Sequence, residues 1–255
     1  MTAILAALTL WRRELTRFFR QPSRIAGAVG TPLLVWVLLG SGFAGSFRLP
    51  GAPAGLAGPG YLQYFFPGTI VLVLLFAAIF SNLSVIEDRH EGFLQGVLVS
   101  PVPRAAIVAG KVLGGATLAW LQGVVFLALA PATGIRLTAL SVLEAAGVLA
   151  VLALALTALG FVFAWKVDSV QGFHAVMNVV LMPMWLLSGS FFPLDGAPVW
   201  LAALMRINPL TYGVEALRGT LAGAGAPVSS LAVTLLLGLA LFAASLLATR
   251  GGRVE

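Results

Sequence analysis

Cysteine is absent from the 255 residues, so disulfides and thiolate metal sites are excluded, and only His90 and His174 remain as imidazole ligands. Charge is scarce as well. Only 9% of the residues are charged and 60% are hydrophobic, whereas soluble domains carry about 25% charged residues. Mean hydropathy is +1.02. Water cannot be the solvent for most of such a chain. Its apolar residues fall into runs near the ~20 that a helix needs to cross hydrocarbon, so the length divides into membrane helices within one domain, residues 1–255.

The chain also lacks the usual energy-converting and catalytic motifs. Gly110-Lys111 is the only Gly-Lys pair, and it is followed by Val112 without the earlier glycine of a phosphate-binding loop. His90-Glu91 runs on to Gly92-Phe93-Leu94, so no zinc-protease helix is present. The nine carboxylates all read at or beyond the ends of spans, which argues against coupling through a titrating intramembrane acid; Glu144 and His174 lie near enough to keep that route open. No metal site is expected. The net charge of +6 points to membrane orientation and anionic lipid rather than nucleic acid, given where the basic residues sit.

Six spans are legible: residues 25–47, 66–86, 105–130, 142–165, 173–192 and 230–249. An even number puts both termini on one side. With the termini inside, eleven of the fifteen basic residues lie on inner segments: Arg12, Arg13, Arg17, Arg20, Arg24, Arg89, Arg104, Lys111, Lys166, Arg250 and Arg253. Arg48, Arg136, Arg206 and Arg218 lie outside. The positive-inside rule therefore predicts cytoplasmic termini in an inner or cell membrane of prokaryotic type.

Residues 1–24 form a different object. At helical spacing Ile4, Leu8, Trp11, Leu15, Phe18 and Phe19 share one face, opposite Arg13, Arg17, Arg20 and Arg24. This predicts a helix lying along the inner surface, ended by Pro22. The first span that follows is longer than a signal-peptide core and reads as an uncleaved anchor. Residues 48–60 read as an irregular external loop. Residues 193–228 are apolar but punctuated by Asn208-Pro209 and Gly223, which fits short external re-entrant helices. The predicted class is an all-α polytopic membrane protein with an amphipathic N-terminal interfacial helix, six transmembrane helices and external re-entrant helices.

The inner loop 87–104 starts with the charged run Glu87-Asp88-Arg89-His90-Glu91 and continues through Gly92, Phe93, Leu94, Gln95, Gly96, Val97 and Leu98 to Val99-Ser100-Pro101. Phe93, Leu94, Val97 and Leu98 have helical spacing, and Pro101 and Pro103 end that helix. Periodicity alone allows a connector resting on lipid or a helix that passes force from a soluble partner. The loop resembles that of the type-2 ABC transporter permeases, in the branch of the daunorubicin-resistance and nodulation-factor export permeases. Gly92, Leu94, Leu98, Ser100 and Pro101 match, while Phe93, Gln95 and Gly96 depart. A second match runs from Leu187 through Phe192-Pro193-Leu194 to Asn208-Pro209-Leu210-Thr211-Tyr212 and Ala216-Leu217-Arg218.

The resemblance implies two permease copies with two separate ATPase subunits, which alone bind ATP and magnesium. It also implies export from the cytoplasm, with the inner loop (Glu87, Gly92, Phe93, Leu94, Val97, Leu98, Ser100 and Pro101) coupling to the ATPase. The chain itself would be a transport subunit, not an enzyme, moving a drug, lipid or lipid-linked saccharide. A non-transporting scaffold and an intramembrane lipid-modifying enzyme are the competing classes; the latter would need a polar catalytic constellation.

Gln171, His174 and Asn178 share one face of the fifth span. They read either as part of a translocation path or as hydrogen bonds between helices, the second being preferred. Pro183 predicts a kink. Gly110 and Gly114 predict close helix packing. Phe192, Pro193, Asn208, Pro209 and Tyr212 form the external motif, where Asn208-Pro209 reads as a turn and helix start in preference to a gate. Arg206 and Arg218 read equally as headgroup contacts or interface anchors.

Overall fold

The computed structural model describes residues 3–43 and 60–249, apart from the side chain of Arg24. The reading of 48–60 as a loop, and Arg250 and Arg253, therefore fall essentially outside the described residues.

The chain is all helical among the described residues. α1 (Ala3–Phe19) ends before Pro22, which occupies the first turn of α2 (Pro22–Gly42), where a missing N–H is harmless. α3 (Tyr61–His90) is followed by the short α4 (Phe93–Val99) and by α5 (Arg104–Leu127). A 3₁₀ turn, Ala130–Thr133, leads into α6 (Ala139–Lys166), whose start is held by a Thr138–Ser141 capping box. α7 (Val170–Trp185) runs into a wide turn, Leu186–Ser190, and two short helices follow, α8 (Val199–Ile207) and α9 (Pro209–Leu221). α10 (Val228–Ala248) closes the bundle.

Among the described residues six helices are long and apolar enough to cross a membrane: α2, α3, α5, α6, α10 and α7 with its wide turn. α3 is the hub. It packs on α2, α5, α6 and α7, and nearly all its span is buried, including Phe65, Phe66, Ile70, Leu72, Leu74 and Leu75. α10 packs on α6 and α9 on another side of the bundle. α2, α7 and α10 are covered on one side only, so Leu34, Val179 and Leu236 stay exposed. In a membrane those surfaces meet lipid or another chain.

One end of the bundle gathers α1, α4 and the chain from α6 to α7; α8 and α9 lie at the other. Helix ends need donors for their last carbonyls, and arginines supply them at the α4 end. Arg89 reaches the carbonyls of Ala164, Trp165 and Val167 at the end of α6, and Arg104 that of Thr249 at the end of α10.

Two sequence expectations shift. The second span runs to His90 instead of ending at residue 86, because Glu87, Asp88 and Arg89 all find partners and the helix can continue. Asp88 stands in the last turn of this longer helix, so it still marks a span end, but with no exposed surface. Lys111, counted among the cations of the inner segments, is likewise buried two turns into α5.

Candidate functional site

At the α4 end, α1 presents a buried row at every fourth residue: Ala6, Leu10, Glu14 and Phe18. The row lies against α5 where side chains are missing. A Cβ on Gly110 would meet Leu10 Cβ at 2.7 Å, and one on Gly114 would meet Glu14 Cβ at 2.9 Å. This is the close packing the glycine pair predicts. Trp11 Nε1 donates to Thr117 Oγ1 at 3.1 Å, extending the seam by another turn.

The seam brings a carboxylate into the bundle, and buried charge requires partners. Lys111 Nζ donates to Glu14 Oε1 at 2.6 Å and to Asp88 on α3. Ser84 Oγ donates to Glu14 Oε2 at 2.7 Å. Arg13 grips Asp88 through two bonds of 2.8 Å, and Arg17 spans Asp88 and Glu87 at 2.7 and 2.8 Å. The bonds to Asp88 raise the Arg13 guanidinium above its ordinary value, so it stays charged throughout the accessible pH range.

The same arginine ties in the segment that follows α3. Arg13 lies over the ring of Phe93, 3.8 Å from its centre. Leu94 is buried in a cluster with Leu10 and Ile107, to which Phe93, Val97 and Leu98 add partly buried surface. Gly92 enters α4 in the left-handed region at φ +75, so the chain turns sharply out of α3. The apolar residues that sequence spacing singles out therefore hold α4 against its own chain. Its outward side carries Gln95, Gly96, Val99 and Pro101. Ser100 ends the helix and closes its side chain onto the Val97 carbonyl. Glu87 belongs to the charged cluster, not to α4.

The opposite face of α1 keeps Ile4, Leu5, Leu8 and Phe19 exposed. Arg12, Arg13, Arg17 and Arg20 line an open cleft of about 760 Å³ beside them. Both features suit a helix lying at a membrane surface.

At the far end, α7 loses its regular ladder after Pro183, and Gly189 takes φ +74. The carbonyls left without helical partners in and beside this turn are met one by one. Asn208 donates to Met184 O at 2.6 Å while its own carbonyl oxygen caps the start of α9. Thr211 donates to Leu187 O, and Tyr61 to Phe191 O. Gly189 O accepts from both Tyr64 and Arg218 at 2.7 and 2.9 Å, with the Arg218 guanidinium over the Tyr64 ring. Trp185 Nε1 donates to Gly68 O, where a Cβ would strike Ser190. Arg218 is thus turned inward to structural work, whereas Arg206 stays exposed.

A family model described as ABC-2 type transporter matches residues 6–222. The chain belongs to the ABC-2 type transporter family. It is 28% identical over 212 residues to the protein named as transport permease ycf38 in Cyanophora paradoxa, covering 82% of this chain and 71% of that one. Nodulation protein J of Rhizobium leguminosarum bv. viciae is 27% identical over 228 residues, covering 85% and 82% of the two chains. The inner membrane transport permease YadH of Escherichia coli K12 is 27% identical over 222 residues, covering 84% and 81%.

This ABC-2 family member is therefore a multi-pass membrane transport permease. In it, α4 is anchored to α1, α3 and α5 at once, through Phe93, Leu94 and the charged cluster. Asn208, Pro209 and Tyr212 belong to the far-end latch; Tyr212 donates to Arg206 O at 3.0 Å. Phe192 and Pro193 are partly buried beside it. Gln171, His174 and Asn178 do not join either group. They flank the buried row Phe173, Met177, Leu181 and Trp185: His174 is partly buried with its ring 6.4 Å from that of Phe173, while Gln171 and Asn178 are exposed in the single chain. The residues missed by sequence reasoning are Glu14, Ser84, Asp88 and Lys111. The one local signal for them is a glutamate standing in the four-residue row of α1.

Proposed function

We propose that this permease is the membrane subunit of an ATP-driven exporter, working as two copies with two separate ATPase subunits. Its cargo is a hydrophobic or amphipathic molecule such as a drug, a lipid or a lipid-linked saccharide, leaving the cytoplasm. α4 is the element that receives the ATPase, and both termini are cytoplasmic. ATP and magnesium belong to the partner.

The observation that carries this reading is the double attachment of α4. Its inner side is fixed to α1 and α5 by the Arg13–Phe93 contact and the burial of Leu94, with Arg13 bonded in turn to Asp88 of α3, and its outer side, with Val99 at 87% exposure, is free. A helix so held moves α1, α3 and α5 when it is pushed. The exposed faces of α2 and α7, and the polar stripe Gln171, His174 and Asn178, support a second copy at that side of the bundle, because polar groups turned to lipid are costly.

Two sets of variants test the reading. The first replaces Phe93, Leu94 and Leu98 together by alanine; the second is Val99→Asp, which leaves the inner side intact. Both should insert normally, and both should weaken co-purification of the ATPase or substrate-stimulated turnover. Normal assembly and undiminished transport in both variants would overturn it.

A further inference from the structure

Glu144 stands apart from every charged group so far described. It is partly buried on α6, beyond the first turn, and among the described residues no hydrogen bond or ion pair engages it. α6 has 28 residues and is about 42 Å long, some 12 Å more than the hydrocarbon core. A centred α6 thus has about four residues outside the hydrocarbon at each end, which leaves Glu144, the sixth, just inside the boundary.

The carboxylate opens onto a cleft of about 460 Å³, within the range of small-molecule sites. Two helix faces build it. α6 supplies Glu144, Gly147, Val148 and Val151, and α10 supplies Val228, Leu231, Ala232 and Leu235, each set at positions i, i+3, i+4 and i+7. Ala216 of α9 and Ala226 close its end. Small residues keep it open: a Cβ at Gly147 would meet nothing within 4 Å. Thr234, the other polar lining residue, is already satisfied by the Ser230 carbonyl. The cleft runs roughly 10 Å along α6 from a single unpartnered carboxylate down a wall that is apolar apart from Thr234. Leu235, Leu236 and Leu239 are exposed beside it, so it opens sideways into the bilayer.

We propose that this cleft binds a single-chain amphiphile with a primary amine head, whose ammonium pairs with Glu144 while its chain lies along α6 and α10. Charge complementarity selects the head. An ionised carboxylate at the hydrocarbon boundary is expensive alone, and an ammonium arriving with its own apolar chain offsets that cost without drawing in water. A carboxylate or phosphate head without an amine would be repelled. The site lies in the leaflet of α8 and α9, away from the exposed faces of α2 and α7.

The test uses the full chain in phosphatidylcholine vesicles and a dodecylamine probe carrying a diazirine on its chain. Photolabelling should map to residues 144–151 and 228–235. Glu144→Gln should lower it at least fivefold, and so should Gly147→Phe, which fills the cleft while keeping the carboxylate. A probe with a carboxylic acid in place of the amine should label these segments no better than background. Competition by vesicles containing lyso-phosphatidylethanolamine assigns the site to a single-chain membrane lipid; competition by free alkylamine alone assigns it to an amphiphile passing through. Labelling that is unchanged in Glu144→Gln, or equal for the acid probe, overturns the proposal.

Discussion

Asp88 has no exposed surface and takes bonds from three cations, Arg13, Arg17 and Lys111. Removing one partner from a buried ion pair leaves charge uncompensated and costs about 3–5 kcal/mol. Lys111→Met should therefore lower the thermal midpoint of the detergent-solubilised chain markedly. Adding Glu14→Gln should recover part of the loss, since it removes the carboxylate that Lys111 neutralised. A single variant as stable as the parent would show that water solvates the cluster. None of this was legible in the sequence as a cluster. Lys111 lies 97 residues from Glu14 and 23 from Asp88, so no short-range pattern joins them. Each residue looks like one more charge near a span end until the fold brings all three together.

The helices themselves were legible, because apolar length and proline placement are local properties. Pro22 opens α2, Pro101 and Pro103 separate α4 from α5, and the apolar runs mark the six spans. The wide turn Leu186–Ser190 was legible only as a kink at Pro183. Its shape depends on donors from Tyr64, Asn208, Thr211 and Arg218, which local sequence does not place. At this scale the seat of α1 is open to test. With cysteines at positions 10 and 107, where Leu10 and Ile107 share a cluster, the otherwise cysteine-free chain should form a disulfide on oxidation. Gly114→Leu should abolish that crosslink by lifting α1 from α5. Crosslinking that persists in Gly114→Leu would mean that α1 is held by its charges alone.

For the whole molecule, the unpartnered faces predict where copies meet. Single cysteines at Leu34 of α2 and Val179 of α7 should crosslink between copies, and one at Leu236 of α10 should not; all three positions are exposed in the single chain. The reverse pattern would move the interface to the α10 side. A Cβ on Gly27 would already meet Phe80 at 3.2 Å and Gly189 belongs to the far-end latch, so of these glycines and Gly30 it is Gly30 that is left open for a neighbour. Orientation is read the same way. An impermeant thiol reagent applied to intact cells should label a cysteine at Val199 and spare one at Gln95, and the opposite result would invert the topology. The charge cluster also fixes an order of events during synthesis. α1 emerges first, but the cation that neutralises Glu14 belongs to the third span and leaves the ribosome about a hundred residues later. Until then Glu14 is best left in water at the membrane surface, where its own arginines hold the helix. α1 is thus a latecomer to a bundle it begins, and a nascent chain stopped short of Lys111 should leave it undocked.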